Sequence, residues 1–314
     1  MKKMLKSLIA IFLVLGLLVA CGGESDSNDD ATVKVGVAST QKVAETRDEE
    51  DNGVEFTTTV AGVTLKDDKV AYISIDVSQQ FAQADGETVT AEALPTKKQR
   101  GSDYGMLGAS EAAGLGKEWD DQIAGIEEDL IGKTLEEVKE YFGGEEIKSS
   151  ATIVVDHIEE TVVKSIDSAV EVEGVEKVGL GYNVSVQVKG DGLKPESVLE
   201  YAMVAVNADG EIVEALLDNA QEKAELVDGS WDLININQTK GELKEDYGML
   251  VASPIEKEWY EQNDAMMETL EGLTFDEALG LTLEDEDLQS SVTMVIDGIQ
   301  ASLAHAQENL QELK

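Results

Sequence analysis

The sequence predicts an α+β protein made of two tandem copies of one unit, in which a small antiparallel sheet carries helices packed on one side. Three observations predict it. Short motifs recur in the same order in both halves, apolar and polar residues alternate at the start of each half, and apolar residues at helical spacing follow. Because strands precede helices in each copy, the pattern favours a helix-covered antiparallel sheet over alternating β-α-β units.

Residues 1–20 have the pattern of a bacterial lipoprotein signal peptide. Lys2, Lys3 and Lys6 give the start a positive charge, an apolar run follows at 8–20, and Cys21 comes directly after it. The run is shorter than the ~20 residues of a membrane-spanning helix and fits the apolar centre of a signal sequence. We therefore expect cleavage before Cys21 and a diacylglyceryl, palmitate-type anchor on its thiol, at the extracytoplasmic face of the cell membrane.

The composition of the rest indicates a soluble and strongly acidic body. The formal net charge is −41, which disfavours nucleic acid and anionic lipid headgroups as partners. Hydrophobic residues make up 42% of the chain, which is enough for packed cores. Acidic and small polar residues dominate much of 21–53, where we expect a disordered acidic leash. Because Cys21 is the only cysteine, disulfides, thiolate metal sites and iron–sulfur clusters are excluded.

The body that follows is a duplication. Both halves contain four matching motifs in one order: DYGML at 103–107 and 246–250, KEW at 117–119 and 257–259, GKTLEEV at 132–138 and GLTFDEA at 272–278, and SSAT at 149–152 and SSVT at 290–293. These matches predict a first repeat at 54–170, a linker at 171–178 and a second repeat at 179–314. Since two copies are too few for a solenoid, we expect each to be a folded domain.

Each repeat opens with a predicted hairpin and continues with helices. The hairpins turn at Asp67 and Asp68 in the first copy and at Asp209 and Gly210 in the second. One helix is indicated by apolar residues at helical spacing, namely Ile255, Trp259, Met266 and Leu270, which end before Gly272. Capping boxes are expected to start the next helix of each copy, formed by Thr134 with Glu137 and by Thr274 with Glu277.

A hydroxyl cluster precedes the closing helix of each repeat. The first cluster is Ser149, Ser150 and Thr152, and the second is Ser290, Ser291 and Thr293. At a helix N-terminus the free N–H groups and the helix dipole favour an anion, so a phosphate near either threonine would be well placed. The alternative is that one serine of each cluster simply caps the helix.

The usual catalytic constellations are missing from the sequence. His157 and His305 do not occupy corresponding positions, so we interpret them as surface or packing residues and expect no metal site and no histidine-activated serine. Four aromatic residues could stack on a flat ligand, although core packing is the stronger interpretation at helical spacing: Tyr104, Trp119, Tyr247 and Trp259.

The order of hairpin, helices and a terminal hydroxyl motif resembles that of FMN-binding domains. The chain is similar to the two-domain FMN-binding lipoproteins of Gram-positive bacteria, with a degenerate flavinylation motif. The resemblance implies covalent FMN on the last hydroxyl of the motif, which is Thr152 or Thr293 or both. It places Glu146 and Asp287 at the acidic position of the motif and Ser149 and Ser290 at its first hydroxyl. Ser150 and Ser291 replace a glycine of that motif.

The function implied by this resemblance is that of an electron carrier rather than a substrate-converting enzyme. FMN would be attached by a flavin transferase, and electrons would pass from a membrane NADH dehydrogenase or quinol donor to extracellular acceptors. The alternative is a lipid-anchored, non-redox binding or adhesion module built from a duplicated domain without flavin. A fluorescent, flavin-bearing band after denaturing electrophoresis would distinguish the two.

Overall fold

The computed structural model describes residues 32–46 and 52–314, without the side chains of Lys148, Ser149, Glu286 and Asp287. The predicted signal peptide, Cys21 and much of the predicted leash lie outside the described residues. Residues Thr32–Lys314 form one compact unit. Within the described part of the chain, no helix is both long and apolar enough to span a membrane.

Each repeat contributes one five-stranded antiparallel sheet. In the first, the order is β4-β3-β2-β1-β5, and in the second it is β10-β6-β7-β8-β9, so a meander of four strands is closed by a short strand from the end of the repeat. The strands of the first sheet are β1 Val33–Glu45, β2 Gly53–Lys66, β3 Lys69–Asp85, β4 Thr88–Glu92 and β5 Val170–Glu171. Those of the second are β6 Lys177–Lys189, β7 Lys194–Val206, β8 Ile212–Val227, β9 Ser230–Ile234 and β10 Gln311–Glu312.

Along the chain, the helices of each repeat follow the meander and precede the closing strand. In the first repeat they are α1 Lys97–Arg100, α2 Leu107–Ala112, α3 Trp119–Leu130, α4 Leu135–Gly143, α5 Glu146–Ser150 and α6 Asp156–Asp167. In the second they are α7 Lys240–Leu243, α8 Trp259–Leu270, α9 Phe275–Leu279, α10 Glu286–Gln289 and α11 Asp297–Glu308. Short 3₁₀ turns follow α1 and α7, at Gly101–Tyr104 and Lys244–Tyr247.

The predicted turn at Asp67 and Asp68 and the two predicted capping boxes are confirmed. Asp67 and Asp68 both have positive φ, of 52° and 61°, as the tight turn between β2 and β3 requires. Thr134 and Thr274 each accept a hydrogen bond from the backbone N–H three residues on, and the glutamate there bonds back to the threonine N–H, so both capping boxes are present.

The predicted leash is wrong over residues 33–45, because these residues form β1. This strand pairs with β2 along its whole length, from Val33 opposite Lys66 to Glu45 opposite Val54. Gly36 lies so close to α6 that an added Cβ would be 2.2 Å from the Ser165 carbonyl oxygen. The strand was missed because its charged flanks resemble a linker, although its Lys-Val-Gly at 34–36 recurs in β6 at 177–179.

The molecule has four layers, with helices outside and the two sheets packed against each other. Alternate residues of a strand point to opposite faces, so Ala61 and Val63 of β2 pack under the helices while Val60 packs against the second sheet. The shared cluster between the sheets includes Leu180 and Met203 of the second repeat. The helices therefore lie on one side of each sheet, as predicted, and the repeats also share a core that the sequence did not indicate.

The hydroxyl clusters do not begin the closing helices, so the cap and the helix-start interpretation are both wrong. In the first repeat the cluster ends α5, and α6 begins only at Asp156, after a cap residue, Val155, whose side chain makes no capping bond. In the second repeat Ser290 follows α10, and α11 begins at Asp297. The β-branched runs after each threonine disfavour a helix, which explains the break.

Candidate functional site

Two clefts occupy corresponding places in the two repeats. The first has a volume of about 970 Å³ and the second about 360 Å³, which is the range of small-molecule sites. Each is lined by a lysine, a tyrosine, a methionine, a tryptophan and the threonine of the hydroxyl cluster. In the first cleft these are Lys97, Tyr104, Met106, Trp119 and Thr152, and in the second they are Lys240, Tyr247, Met249, Trp259 and Thr293.

A fully buried glutamine holds the threonine in each cleft. Gln122 Oε1 accepts hydrogen bonds from Thr152 N at 2.7 Å and from Thr152 Oγ1 at 3.2 Å. Its Nε2 donates to the Lys117 carbonyl oxygen, which fixes the orientation of the amide. Gln262 makes the same bonds to Thr293, at 2.7 and 3.1 Å. In each cleft the backbone N–H of the threonine thus bonds to a side chain instead of a helix carbonyl. The threonine hydroxyl acts as a donor, so the lone pairs of its oxygen are not used in this bond.

The lysine of each cleft lies over the two aromatic rings. Lys97 Nζ is 4.9 Å from the ring centroid of Tyr104 and 5.6 Å from that of Trp119. Lys240 Nζ lies 5.2 and 5.7 Å from the rings of Tyr247 and Trp259. Such cation–π contacts keep a positive charge beside the aromatic faces. Burial lowers the pKa of Lys240 to about 8.

Comparisons with known proteins do not identify a relative. A scan against family models finds no match, and neither does a search of curated proteins or of solved structures.

The first cleft is lined by hydroxyl, amide and charged groups from the strands. Thr57 and Thr59 of β2 and Gln79 of β3 form its floor together with β1. On β1, Gln41 is 9% exposed, and among the described residues neither its Oε1 nor its Nε2 has a hydrogen-bond partner. A buried amide without partners at either end is unfavourable, so the cleft offers one donor and one acceptor, side by side, to a ligand.

The first cleft also carries charges of both signs. Its cationic side chains are Lys42 and Lys97, and its acidic ones are Glu55, Asp156 and Glu160. His157 lines the cleft as well, where burial and then the charge of Lys97 lower its pKa below the usual value. Asp156 and His157 begin α6, so the free N–H groups of that helix lie at the cleft even though Thr152 is outside the helix.

The second cleft differs in the side chains that its strands and α8 supply. Glu200 of β7 stands where β2 has Thr59, and its carboxylate packs on Gly298 of α11, where an added Cβ would lie 1.6 Å from Oε2. Asn219 and Asn263 also line this cleft, and each has an Oδ1 without a partner among the described residues. Burial raises the pKa of Asp218, which lines the cleft too, to about 6.

Only some of the residues predicted to bind the cofactor line the clefts. Thr152 and Thr293 line the clefts. Ser150 instead donates to Asp129 Oδ2 at 3.0 Å, and Ser291 donates to the Leu288 carbonyl oxygen at 3.3 Å. Ser290 is exposed. Ser149 belongs to α5, but its side chain is outside the described part of the structure, and so is Cys21.

Several residues that line the clefts were missed by sequence reasoning. The lysines could have been found, because a Thr-Lys pair recurs at 96–97 and 239–240 before DYGML. His157, interpreted as a surface or packing residue, lines the first cleft. His305 is a packing residue, since its Nδ1 accepts a hydrogen bond from Tyr182 N at 3.1 Å. No cluster of three or more His, Cys, Asp and Glu side chains suited to a metal occurs among the residues that the structure describes.

Proposed function

We propose that the protein is a lipid-anchored, extracytoplasmic electron carrier that holds FMN in the first cleft as a phosphoester of Thr152. The observation that carries the proposal is that Thr152 shares a cleft with an aromatic pair and with Gln41. The amide of Gln41 is buried and has no partner at either end among the residues that the structure describes. FMN supplies the redox chemistry, and the protein supplies attachment, orientation and the polar surroundings.

The residues of the first cleft suit the parts of FMN. The pyrimidine edge of a flavin carries an N–H beside carbonyl oxygens, which complements the free donor and acceptor of Gln41. Tyr104 and Trp119 offer aromatic surface next to the ammonium of Lys97. The free N–H groups at the start of α6 favour a phosphate, and Lys42 and Lys97 supply positive charge in the cleft beside the carboxylate of Asp156. The Thr152 hydroxyl donates to Gln122 and keeps its lone pairs free; attachment of FMN would exchange its O–H bond for an O–P bond and so end the bond from Oγ1, while the bond from the Thr152 N–H to Gln122 would remain.

The second cleft is less suited to FMN than the first. It is smaller, and Glu200 already places a carboxylate against Gly298 in the first turn of α11. A second anion at the same helix start would be repelled. We therefore propose that Thr152 is the main attachment residue and that Thr293 carries little or no flavin.

The experiment is expression with an active flavin transferase, followed by fluorescence after denaturing electrophoresis and mass spectrometry of the peptide that contains Thr152. We expect a fluorescent chain with one FMN. Thr152→Val keeps the shape of the side chain and should abolish the label, whereas Thr293→Val is the matched control and should retain it. A wild-type chain without flavin, or Thr152→Val with full label, would overturn the proposal.

One observation favours the alternative of a non-redox binding module. In both repeats the threonine N–H and hydroxyl bond to a buried glutamine, so the same residues have a purely structural partner. In that case the clefts bind their ligands without a covalent bond and the threonines only hold the loops. Colourless protein from a host with a working transferase would support this second function.

A further inference from the structure

We propose that the second cleft binds a small organic ammonium ion, a ligand of a different class from the flavin proposed for the first cleft. The proposal rests on the acceptor groups of the second repeat alone, so it does not depend on whether Thr152 carries FMN. The acceptor side chains that line this cleft include Glu200, Asn219 and Asn263. A primary ammonium has three N–H donors and no acceptor.

Two of these side chains have buried oxygens to which no described residue donates. Asn219 is 3% exposed and Asn263 is 4% exposed, and the Oδ1 of each is unpartnered among the described residues. The amide of Asn263 cannot be reversed, because its Nδ2 donates to the Leu217 carbonyl oxygen at 2.8 Å. Buried acceptors normally have a donor, so two of them in one cleft wall point to a ligand that brings its own N–H groups.

The third acceptor supplies the negative charge. Glu200 accepts a hydrogen bond from Asn183 Nδ2 at 3.2 Å, and its carboxylate packs on Gly298. A carboxylate has lone pairs for several donors, which leaves capacity for a ligand. The overall charge of −41 raises the local concentration of cations around the protein and adds to the attraction.

The first repeat serves as an internal comparison. Asp76 of β3 and Asp218 of β8 hold equivalent positions, because each accepts a hydrogen bond from the threonine that caps the next helix. The residues that follow them, Val77 and Asn219, therefore correspond. Gln122 and Gln262 are equivalent as well, since each binds the threonine of its cleft, so the next residues, Ile123 and Asn263, correspond. All three acceptors thus stand where the first repeat has a hydroxyl or an apolar side chain, so they are a property of the second cleft and not of the fold.

The remaining walls favour an organic cation over an inorganic one. Trp259, Met294 and Ile299 line the cleft with apolar surface, which suits a short alkyl chain, and the volume of about 360 Å³ suits a small molecule. Lys240 keeps its own ammonium over the aromatic rings. The charge of Glu200 acts on this ammonium as well, and the oxygens of Glu200, Asn219 and Asn263 have lone pairs for the ammonium group of the ligand.

The test is calorimetric titration of the full chain, purified in detergent and phosphate buffer at pH 7, with butylammonium chloride. Potassium chloride at equal ionic strength is the inorganic arm, and butanol is the neutral arm. Glu200→Gln removes the charge at constant size. Asn219→Val and Asn263→Ile install the residues of the first repeat. Asn219→Val removes a buried oxygen that has no partner among the described residues, whereas Asn263→Ile also removes the hydrogen bond from Nδ2 to the Leu217 carbonyl oxygen, so urea unfolding is used to check that this variant is folded. Gln41→Ala, in the first cleft, is the control.

We expect saturable binding of one butylammonium per chain and none of butanol. Glu200→Gln and Asn263→Ile should each weaken it by about tenfold, since each removes a bond to a charged group, and Gln41→Ala should change it by less than about twofold. Absence of saturable binding, equal binding of potassium, or affinity unchanged in both Glu200→Gln and Asn263→Ile would overturn the proposal.

Discussion

Glu222 is a buried carboxyl group between the two sheets, and we expect its replacement by glutamine to change the pH dependence of stability. Its side chain is 2% exposed and accepts hydrogen bonds from Thr58 Oγ1 at 2.7 Å and from Lys42 N at 3.2 Å. Burial raises its pKa from 4.5 to about 8. The variant Glu222→Gln has the shape of the neutral acid and can donate to Thr58 while it accepts from Lys42.

The size and sign of the effect follow from these two pKa values. Below pH 4.5 the carboxyl group is protonated in the folded and the unfolded chain, so its titration has no effect on stability. Between pH 4.5 and about 8 only the unfolded chain ionises, and the free energy of unfolding falls by about 1.4 kcal/mol per pH unit. Above pH 8 the loss levels off at up to about 5 kcal/mol. Glu222→Gln should remove this loss.

The assay is urea unfolding at pH values from 4.5 to 9, followed by tryptophan fluorescence. The difference in unfolding free energy between Glu222→Gln and wild type should be near zero at pH 4.5 and grow steadily to pH 8. Taking the difference cancels other groups, such as Asp218, whose pKa is also raised. A difference that stays constant from pH 5 to pH 8 would show that the pKa of Glu222 is the same in the folded and the unfolded chain.

The first repeat offers a matched reverse variant. Gln80 stands at the corresponding position, fully buried, and donates from Nε2 to Ser78 Oγ at 3.0 Å and to the Leu94 carbonyl oxygen at 2.9 Å. Gln80→Glu should introduce a pH dependence of the same sign, with a lower stability at every pH because a donor is lost as well. If Gln80→Glu showed no loss of stability between pH 5 and pH 8, burial would not be the cause.

Further predictions concern the anchor and the contact between the repeats. Cys21→Ala should release the protein from the membrane fraction or leave an uncleaved precursor, and normal membrane retention in fractionation would contradict the lipoprotein hypothesis. Tyr182→Phe should lower the free energy of unfolding by about 1.5–3 kcal/mol in urea titration, because the Tyr182 hydroxyl donates to the buried carboxyl group of Asp76 in the other repeat. Residues 32–171 and 172–314, expressed separately, should be less stable than the whole chain, since each exposes half of the cluster that the two sheets share. The two halves should associate on mixing. Cooperative folding of both halves with no association in ultracentrifugation would show that the shared cluster is dispensable.

What the sequence could predict was local. The turn at Asp67 and Asp68 and the capping box of Thr134 depend on residues close together in the chain, and both were correct. The strand β1 was missed because its flanks are acidic and resemble a linker, although its main partner, β2, is the next strand in the chain. The position of Thr152 was misjudged for a different reason. The residue that decides its conformation is Gln122, on another helix, and only the folded chain brings the two together.

The clefts show why a repeated motif does not by itself determine a ligand. The two threonines have the same buried glutamine partner and the same lysine over an aromatic pair, and all of these residues recur in sequence motifs. The groups that differ lie on strand positions and on one helix face outside the motifs, where Thr59 corresponds to Glu200 and Ile123 to Asn263. The carboxylate of Glu200 lies against Gly298, and we expect it to repel an anion from the start of α11. The scaffold therefore sets where a ligand is held, and the side chains that reach in from the sheet set its charge.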